Sequence, residues 1–196
     1  MDKDGTIIEA FDPKYWAYNT GTGKKYDKHS IGIELINEGK LVKVDKNYKW
    51  FSGKYTYKGT PYILENLDWR GEKYFATYSD AQIKATEELV KYLCKQFNIA
   101  TDIAPFDHYS DLYKDWEGII THANVKISKT DLSPAYPLYQ LKEYLNPIKE
   151  YLNPTKSIEL PDPPDLPPTR IIKEDSNFAF LKTLINLIAS LFLKKK

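Results

Sequence analysis

The stretch Ser30-Ile31-Gly32-Ile33-Glu34-Leu35-Ile36 is short and apolar and carries one carboxylate. A run of this length and composition predicts a buried β-strand. Residues 118–122, which end at a histidine, predict a second strand, and residues 5–11, which follow an Asp-Lys-Asp-Gly turn, predict a third. The lysine- and tyrosine-rich stretch 40–78 predicts loops and small strands that cover a sheet edge.

Helices are predicted between and after these strands. Ser79-Asp80-Ala81-Gln82 has the pattern of a capping box. Apolar residues then recur at helical spacing and predict an amphipathic helix over 80–97, at Ile83, Val90, Leu93, Cys94 and Phe97. A further helix is predicted over 137–145. The pattern indicates an α/β fold, with a central mixed sheet flanked by helices.

The chain divides into three parts. Residues 1–153 are predicted to form the folded domain. Residues 154–176 are rich in proline and predict a stiff, extended linker. Residues 177–196 predict an amphipathic helix that ends in three lysines and is too short to span a bilayer. We expect its apolar face to bind a membrane surface, to fold back, or to pair with a copy of itself.

Composition excludes some classes of function. The net formal charge of the 196 residues is +1, so no broad attraction to nucleic acid is expected. Cys94 is the single cysteine, which rules out an internal disulfide. No signal peptide follows Met1, so the chain as written is expected to stay in the cytoplasm.

A histidine, a lysine and an aspartate lie close together at His122, Lys129 and Asp131. Imidazole and carboxylate groups are zinc ligands, and a lysine beside them could stabilise an oxyanion. His122, Lys129 and the carboxylate Glu34 each also have a structural alternative. His122 could be a hydrogen-bonded residue at the end of a strand, Lys129 a surface lysine, and Glu34 a partner in a buried ion pair.

Four stretches together resemble a known family. They are Asp2-Lys3-Asp4-Gly5-Thr6-Ile7, Tyr15-Trp16-Ala17-Tyr18-Asn19-Thr20-Gly21, Ser30 to Leu35, and His122 to Tyr136. Over residues 1–145 the chain is similar to zinc-dependent N-acetylmuramoyl-L-alanine amidases, which are related to peptidoglycan recognition proteins and phage lysozyme-amidases.

The resemblance implies roles for individual residues. His122 and Asp131 would be ligands of a Zn2+ cofactor, Lys129 the oxyanion stabiliser, and Glu34 the general base or the carboxylate that positions the water. Trp16 and Asn19 would line the substrate cleft. The implied reaction is hydrolysis of the amide between N-acetylmuramic acid and L-alanine in peptidoglycan, at the cell envelope.

The chain also departs from the family pattern. A first zinc histidine precedes the Asp-x-Asp-Gly turn in the family, and Met1 falls after that position. Asn19 replaces the histidine of the cleft motif. Either the true start lies upstream, or the site is degenerate, or another histidine, such as His29 or His108, substitutes. A non-catalytic peptidoglycan-binding homologue is therefore the alternative to the enzyme.

Overall fold

The computed structural model describes residues 1–65 and 68–147, and the backbone of a strand at 188–194. In chain order the elements are α1 (Lys24–Asp27), β1 (Ser30–Ile36), β2 (Lys40–Val44), β3 (Asn47–Trp50), β4 (Pro61–Ile63), β5 (Tyr74–Ala76), α2 (Asp80–Gln96), a 3₁₀ helix (Asp111–Asp115), β6 (Ile119–Thr121), α3 (His122–Val125), α4 (Leu138–Leu145) and β7 (Ile188–Lys194).

The strands form two sheets. One has three strands in the order β1-β7-β6, and the other has four in the order β3-β2-β5-β4. All ladders between these strands are antiparallel. The chain is α/β as predicted, but the single central mixed sheet is a wrong expectation. Gly39, with a φ of 68°, turns the chain after β1, so that β2 pairs with β3 and β5.

The predicted strand at β1 is confirmed, and its side chains alternate between two faces. Ile31, Ile33 and Leu35 are buried in the main core, against Val90 and Leu93 of α2. Alternation places Glu34 on the opposite face, where it is exposed. Its expected position in a buried apolar environment is therefore wrong, because the burial of β1 is confined to one face.

The predicted helix over 80–97 is confirmed as α2. The hydroxyl oxygen of Ser79 caps it and accepts a hydrogen bond from the Gln82 amide at 3.1 Å. The Gln82 side chain does not complete the capping box but donates to the carbonyl of Ile36 at 3.0 Å. Thr86, a polar residue on the apolar face, is buried and donates to the Gln82 carbonyl at 2.7 Å. These bonds fasten α2 to the end of β1.

Two further predictions have opposite outcomes. The helix over 137–145 is confirmed as α4, and its Leu141 is fully buried in the main core. The strand over 5–11 is wrong, because those residues join no ladder. The Ile36 amide, at the end of β1, donates instead to the Met1 carbonyl at 3.0 Å, and the chain after the turn at Gly5 leaves the sheet.

The predicted C-terminal helix is wrong over residues 188–194, which form β7. This strand is the middle one of its sheet and pairs with β1 on one side and β6 on the other. Hydrogen bonding along both edges outweighs the helical periodicity of the local sequence. Residues 177–187 and the linker at 154–176 lie outside the described residues.

None of the helices in the described ranges is long and apolar enough to cross a bilayer.

A proline in β7 tests its central position. Leu191 pairs with Ile33 of β1 on one side and with Thr121 of β6 on the other. Its amide therefore faces a neighbouring strand, whichever of the two it points towards. Leu191→Pro removes that donor and should cost about 1–3 kcal/mol for the unsatisfied partner alone. Leu191→Val keeps the amide and is the matched control. Urea denaturation that gives the same free energy of unfolding for both variants would contradict a central β7.

Candidate metal and substrate site

The end of β6 is fixed by its own side chains. Asn124 accepts a hydrogen bond from the Thr121 amide at 2.8 Å and from the Thr121 hydroxyl at 3.0 Å. Its side-chain nitrogen donates to the carbonyls of Pro105 at 2.7 Å and His108 at 2.8 Å. The strand therefore stops at Thr121, and α3 starts at His122 in a buried corner.

His122 and Asp131 meet in the structure. Nδ1 of His122 lies 2.9 Å from Oδ2 of Asp131, and the Ala123 amide donates to the Asp131 carbonyl at 2.8 Å. The His122 side chain is 8% exposed and the Asp131 side chain 19%. The predicted neighbours are thus held together by one side-chain contact and one backbone bond, in a site that is partly shielded from water.

Arg70 secures the loop between these two residues. Its Nη1 donates to the carbonyls of Lys126 at 3.1 Å and Ile127 at 3.0 Å and also to that of Lys129, and its Nη2 donates to the carbonyl of Ala123 at 2.6 Å. The planar fork of a guanidinium can serve several acceptors at once. Burial lowers the pKa of Arg70, and the charge of Asp131 opposes that shift.

Arg70 reaches this loop from a tight turn. Trp69 and Glu72 exchange backbone hydrogen bonds of 2.9 and 3.1 Å, and both central residues have positive φ, 57° at Arg70 and 79° at Gly71. Such two-residue turns close hairpins. Sequence analysis missed Arg70, and its only local signal is the Arg-Gly pair in an otherwise lysine-rich stretch.

Glu34 lies at the level of His122 along the first sheet. Glu34 is opposite Ser190 in β7, and Thr121 is opposite the next residue, Leu191, so position 122 comes level with Glu34 across β7. Two strand spacings put the backbones about 10 Å apart. Glu34 is exposed on its face and borders a cavity of about 550 Å³.

Trp16 and Asn19 lie beside this part of β1. The Asn19 Cβ would be 3.1 Å from a Cβ placed on Gly32, so glycine leaves the room that Asn19 fills. The Ser30 hydroxyl also donates to the Asn19 side-chain oxygen at 3.2 Å. Trp16 is half-buried, and Lys24 lies over its ring at 5.4 Å from the centroid. Asn19 therefore borders the part of β1 that carries Glu34, and Trp16 belongs to the same loop.

A buried aspartate, also missed in the sequence, shapes that border. Asp27 is fully buried and accepts from the Thr20 amide at 2.9 Å and the Thr20 hydroxyl at 2.6 Å. The Nζ atom of Lys126 lies close to Gly21 of this loop, since a Cβ atom built on that glycine would be 3.3 Å from it. The segment of Trp16 and Asn19 is thus joined to the loop after α3.

The remaining candidate site residues are Lys129, His29 and His108. Lys129 is half-buried, and its carbonyl is one of the Arg70 acceptors. His29 is exposed. His108 lies in a loop, where Nδ1 is 2.9 Å from the Tyr113 hydroxyl. In the part of the chain that the structure describes, no three His, Cys, Asp or Glu side chains form a group able to hold a metal ion.

Comparison with known proteins gives one match. A family model described as N-acetylmuramoyl-L-alanine amidase matches residues 1–134. The chain belongs to this family, whose members act on peptidoglycan and typically bind zinc. No curated protein and no solved structure matches the chain.

The described residues fit two ligand positions of a catalytic zinc site. His122 and Asp131 supply the nitrogen and oxygen donors that zinc prefers, already 2.9 Å apart and partly buried. A catalytic site takes three protein ligands, and residues 1–65 and 68–147 bring no third donor to the pair. The donor set is therefore incomplete among the residues that the structure describes.

Replacing Arg70 tests its hold on the loop. Arg70→Met would leave four carbonyls without their donor, and we expect a loss of about 2–3 kcal/mol in the free energy of unfolding, measured by urea denaturation. Lys73→Met, which removes an exposed cation three residues away, is the matched control and should cost less than about 0.5 kcal/mol. Equal losses in the two variants would show that Arg70 does not stabilise the loop.

Proposed function

We propose that the chain is a zinc-dependent N-acetylmuramoyl-L-alanine amidase of the cell envelope. The carrying observation is the 2.9 Å contact between His122 and Asp131 within the residues that match the family. His122 and Asp131, with a further ligand, would hold the zinc, which would supply Lewis-acid chemistry when bound. The location at the envelope follows from the substrate, since peptidoglycan is found there.

The chain's own residues have separate roles in this proposal. Glu34 takes a proton from the attacking water, whose oxygen adds to the lactyl carbonyl carbon. Lys129 stabilises the negative charge that develops on the carbonyl oxygen. The carbon–nitrogen bond then breaks, and the proton passes to the amine of L-alanine. Support for Glu34 comes from its level with His122 across β7, and support for Lys129 from its place on the loop that Arg70 anchors.

The border formed by Trp16 and Asn19 is proposed to hold the glycan or peptide next to Glu34. Asn19 lies beside Gly32 of β1 and lines the cavity that Glu34 borders. An indole offers apolar area and Asn19 offers an amide, which is the mixture that small-molecule clefts use for orientation.

A second candidate function is peptidoglycan binding without hydrolysis. The observation in its favour is the absence of a three-donor group among the residues that the structure describes. Binding and hydrolysis are separated by measuring, with the same purified chain, sedimentation with insoluble peptidoglycan and release of stem peptide. Sedimentation without release would support the binding module over the enzyme.

Zinc content tests the ligand pair. The full chain should contain zinc and melt at a higher temperature with zinc than with chelator, because a metal that binds the folded state stabilises it. His122→Ala and Asp131→Ala should each lose the metal. His29→Ala, which removes an exposed histidine, is the matched control and should keep it. Zinc retained by both ligand variants, or lost from the control, would refute the assignment.

Rates test the roles of Glu34 and Lys129. Lys129→Ala should lower kcat about 10²–10³-fold, and Glu34→Gln about 10²–10⁴-fold, with zinc still bound. Lys126→Ala, on the same loop, is the control for Lys129 and should keep kcat within about threefold. Release of stem peptide is the measurement. Near-normal turnover, or loss of zinc, in either variant would show that its role is different.

A further inference from the structure

The second sheet carries a concentration of positive charge. Residues 40–58 contain six lysines and one acidic residue, Asp45, a formal net charge of +5 in a chain of net +1. Lys40 pairs with Glu72 at 2.5 Å. Within residues 1–65 and 68–147, no carboxylate forms an ion pair with the other five, which are Lys43, Lys46, Lys49, Lys54 and Lys58. Four of these five are exposed and Lys49 is half-buried.

One face of the same sheet is aromatic. Cross-strand neighbours share a face, and the backbone pairing sets Trp50 opposite Leu41 and Tyr55, and Tyr74 opposite Leu41 on the other side. The Trp50 and Tyr55 rings lie 5.0 Å apart between centroids, and those of Tyr48 and Tyr74 5.2 Å apart. We call Tyr48, Trp50, Tyr55 and Tyr74 the aromatic platform.

The lysines surround this platform. Lys43 is opposite Tyr48 on the same face, with its ammonium 5.8 Å from the ring centroid. Lys46 lies in the turn between β2 and β3, and Lys54 in the loop that follows β3. Tyr55, at one end of the platform, is 59% exposed. The sheet therefore presents aromatic rings between cations at both of its ends.

We propose that the aromatic platform and its lysines bind an anionic glycan, a polymer of sugar or polyol units that carry carboxylate or phosphate groups. Ring faces have a negative quadrupole that attracts the C–H faces of sugars, and the lysine ammonium groups attract the anions. The interaction goes beyond the hydrolytic site and requires none of its residues.

The geometry favours this partner over two others. The rings in each contact are inclined by 57° and 62°, so they do not form the parallel series of faces on which successive nucleic-acid bases stack. A membrane-binding surface buries aliphatic side chains among acyl groups. The large exposed hydrophobic side chains between residues 40 and 63 are three aromatic residues, Phe51, Tyr55 and Tyr62, and two aliphatic ones, Val44 and Ile63.

The face of the second sheet opposite the aromatic platform packs against the candidate site. Phe75 of β5 and Trp69 share a buried cluster with Ala123 of α3, and Trp69 stacks on Phe106 with ring centroids 5.0 Å apart. A polymer held on the aromatic platform would therefore lie on the face of the second sheet that points away from the His122–Asp131 pair.

Binding of defined polymers to the full chain is the test. Titrations use polygalacturonate for carboxylate, poly(glycerol phosphate) for phosphate, dextran as the neutral glycan, oligothymidylate, and vesicles of phosphatidylglycerol and phosphatidylcholine. We expect saturable binding to at least one anionic glycan that weakens with salt, and none to dextran. The comparison of the first two polymers identifies the anion. Equal binding to dextran, or tighter binding to the oligonucleotide or the vesicles, would overturn the proposal.

Charge variants locate the site. Lys46→Glu combined with Lys54→Glu should weaken the binding of the anionic glycan about tenfold. Lys84→Glu combined with Lys95→Glu makes the same change in net charge on the exposed face of α2 and should alter binding less than about twofold. Equal weakening by the two double variants would mean that net charge alone attracts the polymer, and the proposal would fail.

An aromatic variant tests the platform separately. Tyr55→Ala should weaken binding about fivefold, while Tyr139→Ala, which removes a tyrosine that is 64% exposed on α4, should leave binding unchanged. Both side chains are mostly in solvent, so both variants should keep the melting temperature of the parent chain. Unchanged binding in Tyr55→Ala would contradict a role for the platform.

Discussion

The hydrogen bonds of Arg70 are the interaction on which the candidate site depends. One guanidinium serves four carbonyls from Ala123 to Lys129, and so it fixes the course of the chain between His122 and Asp131. Without it, those carbonyls would be left near the C-terminal end of a one-turn helix, where a cation is favourable. The contact also joins the two sheets, since Arg70 comes from the turn that precedes β5 and its acceptors follow β6.

Local patterns were sufficient to predict much of this fold. The apolar run of β1 and the helical spacing of α2 depend on residues close in sequence, and both were predicted to within about two residues. The strand β7 was predicted as helix because its apolar residues also satisfy a helical period. Its conformation depends on pairing with the edges of β1 and β6, which lie more than 65 residues away in the sequence. A local pattern carries no information about such distant partners.

The candidate site, like the fold, could be predicted only in part from the sequence. The spacing of His122 and Asp131 is a local signal, and the structure brings the two side chains into contact. Arg70 acts through acceptors 53 to 59 residues away, so its own surroundings in the sequence give no indication of that role. Glu34 shows the opposite error. Its apolar neighbours suggested burial, whereas strand alternation exposes it on the other face.

The strand β7 bears on the geometry of the candidate site. β7 lies between β1 and β6, and therefore between Glu34 and the position of His122. Adjacent strands are about 5 Å apart, so the backbone of β7 at this level lies nearer to Glu34 and to position 122 than those two positions lie to each other. The backbone of this middle strand therefore separates the two groups that the proposed reaction uses together.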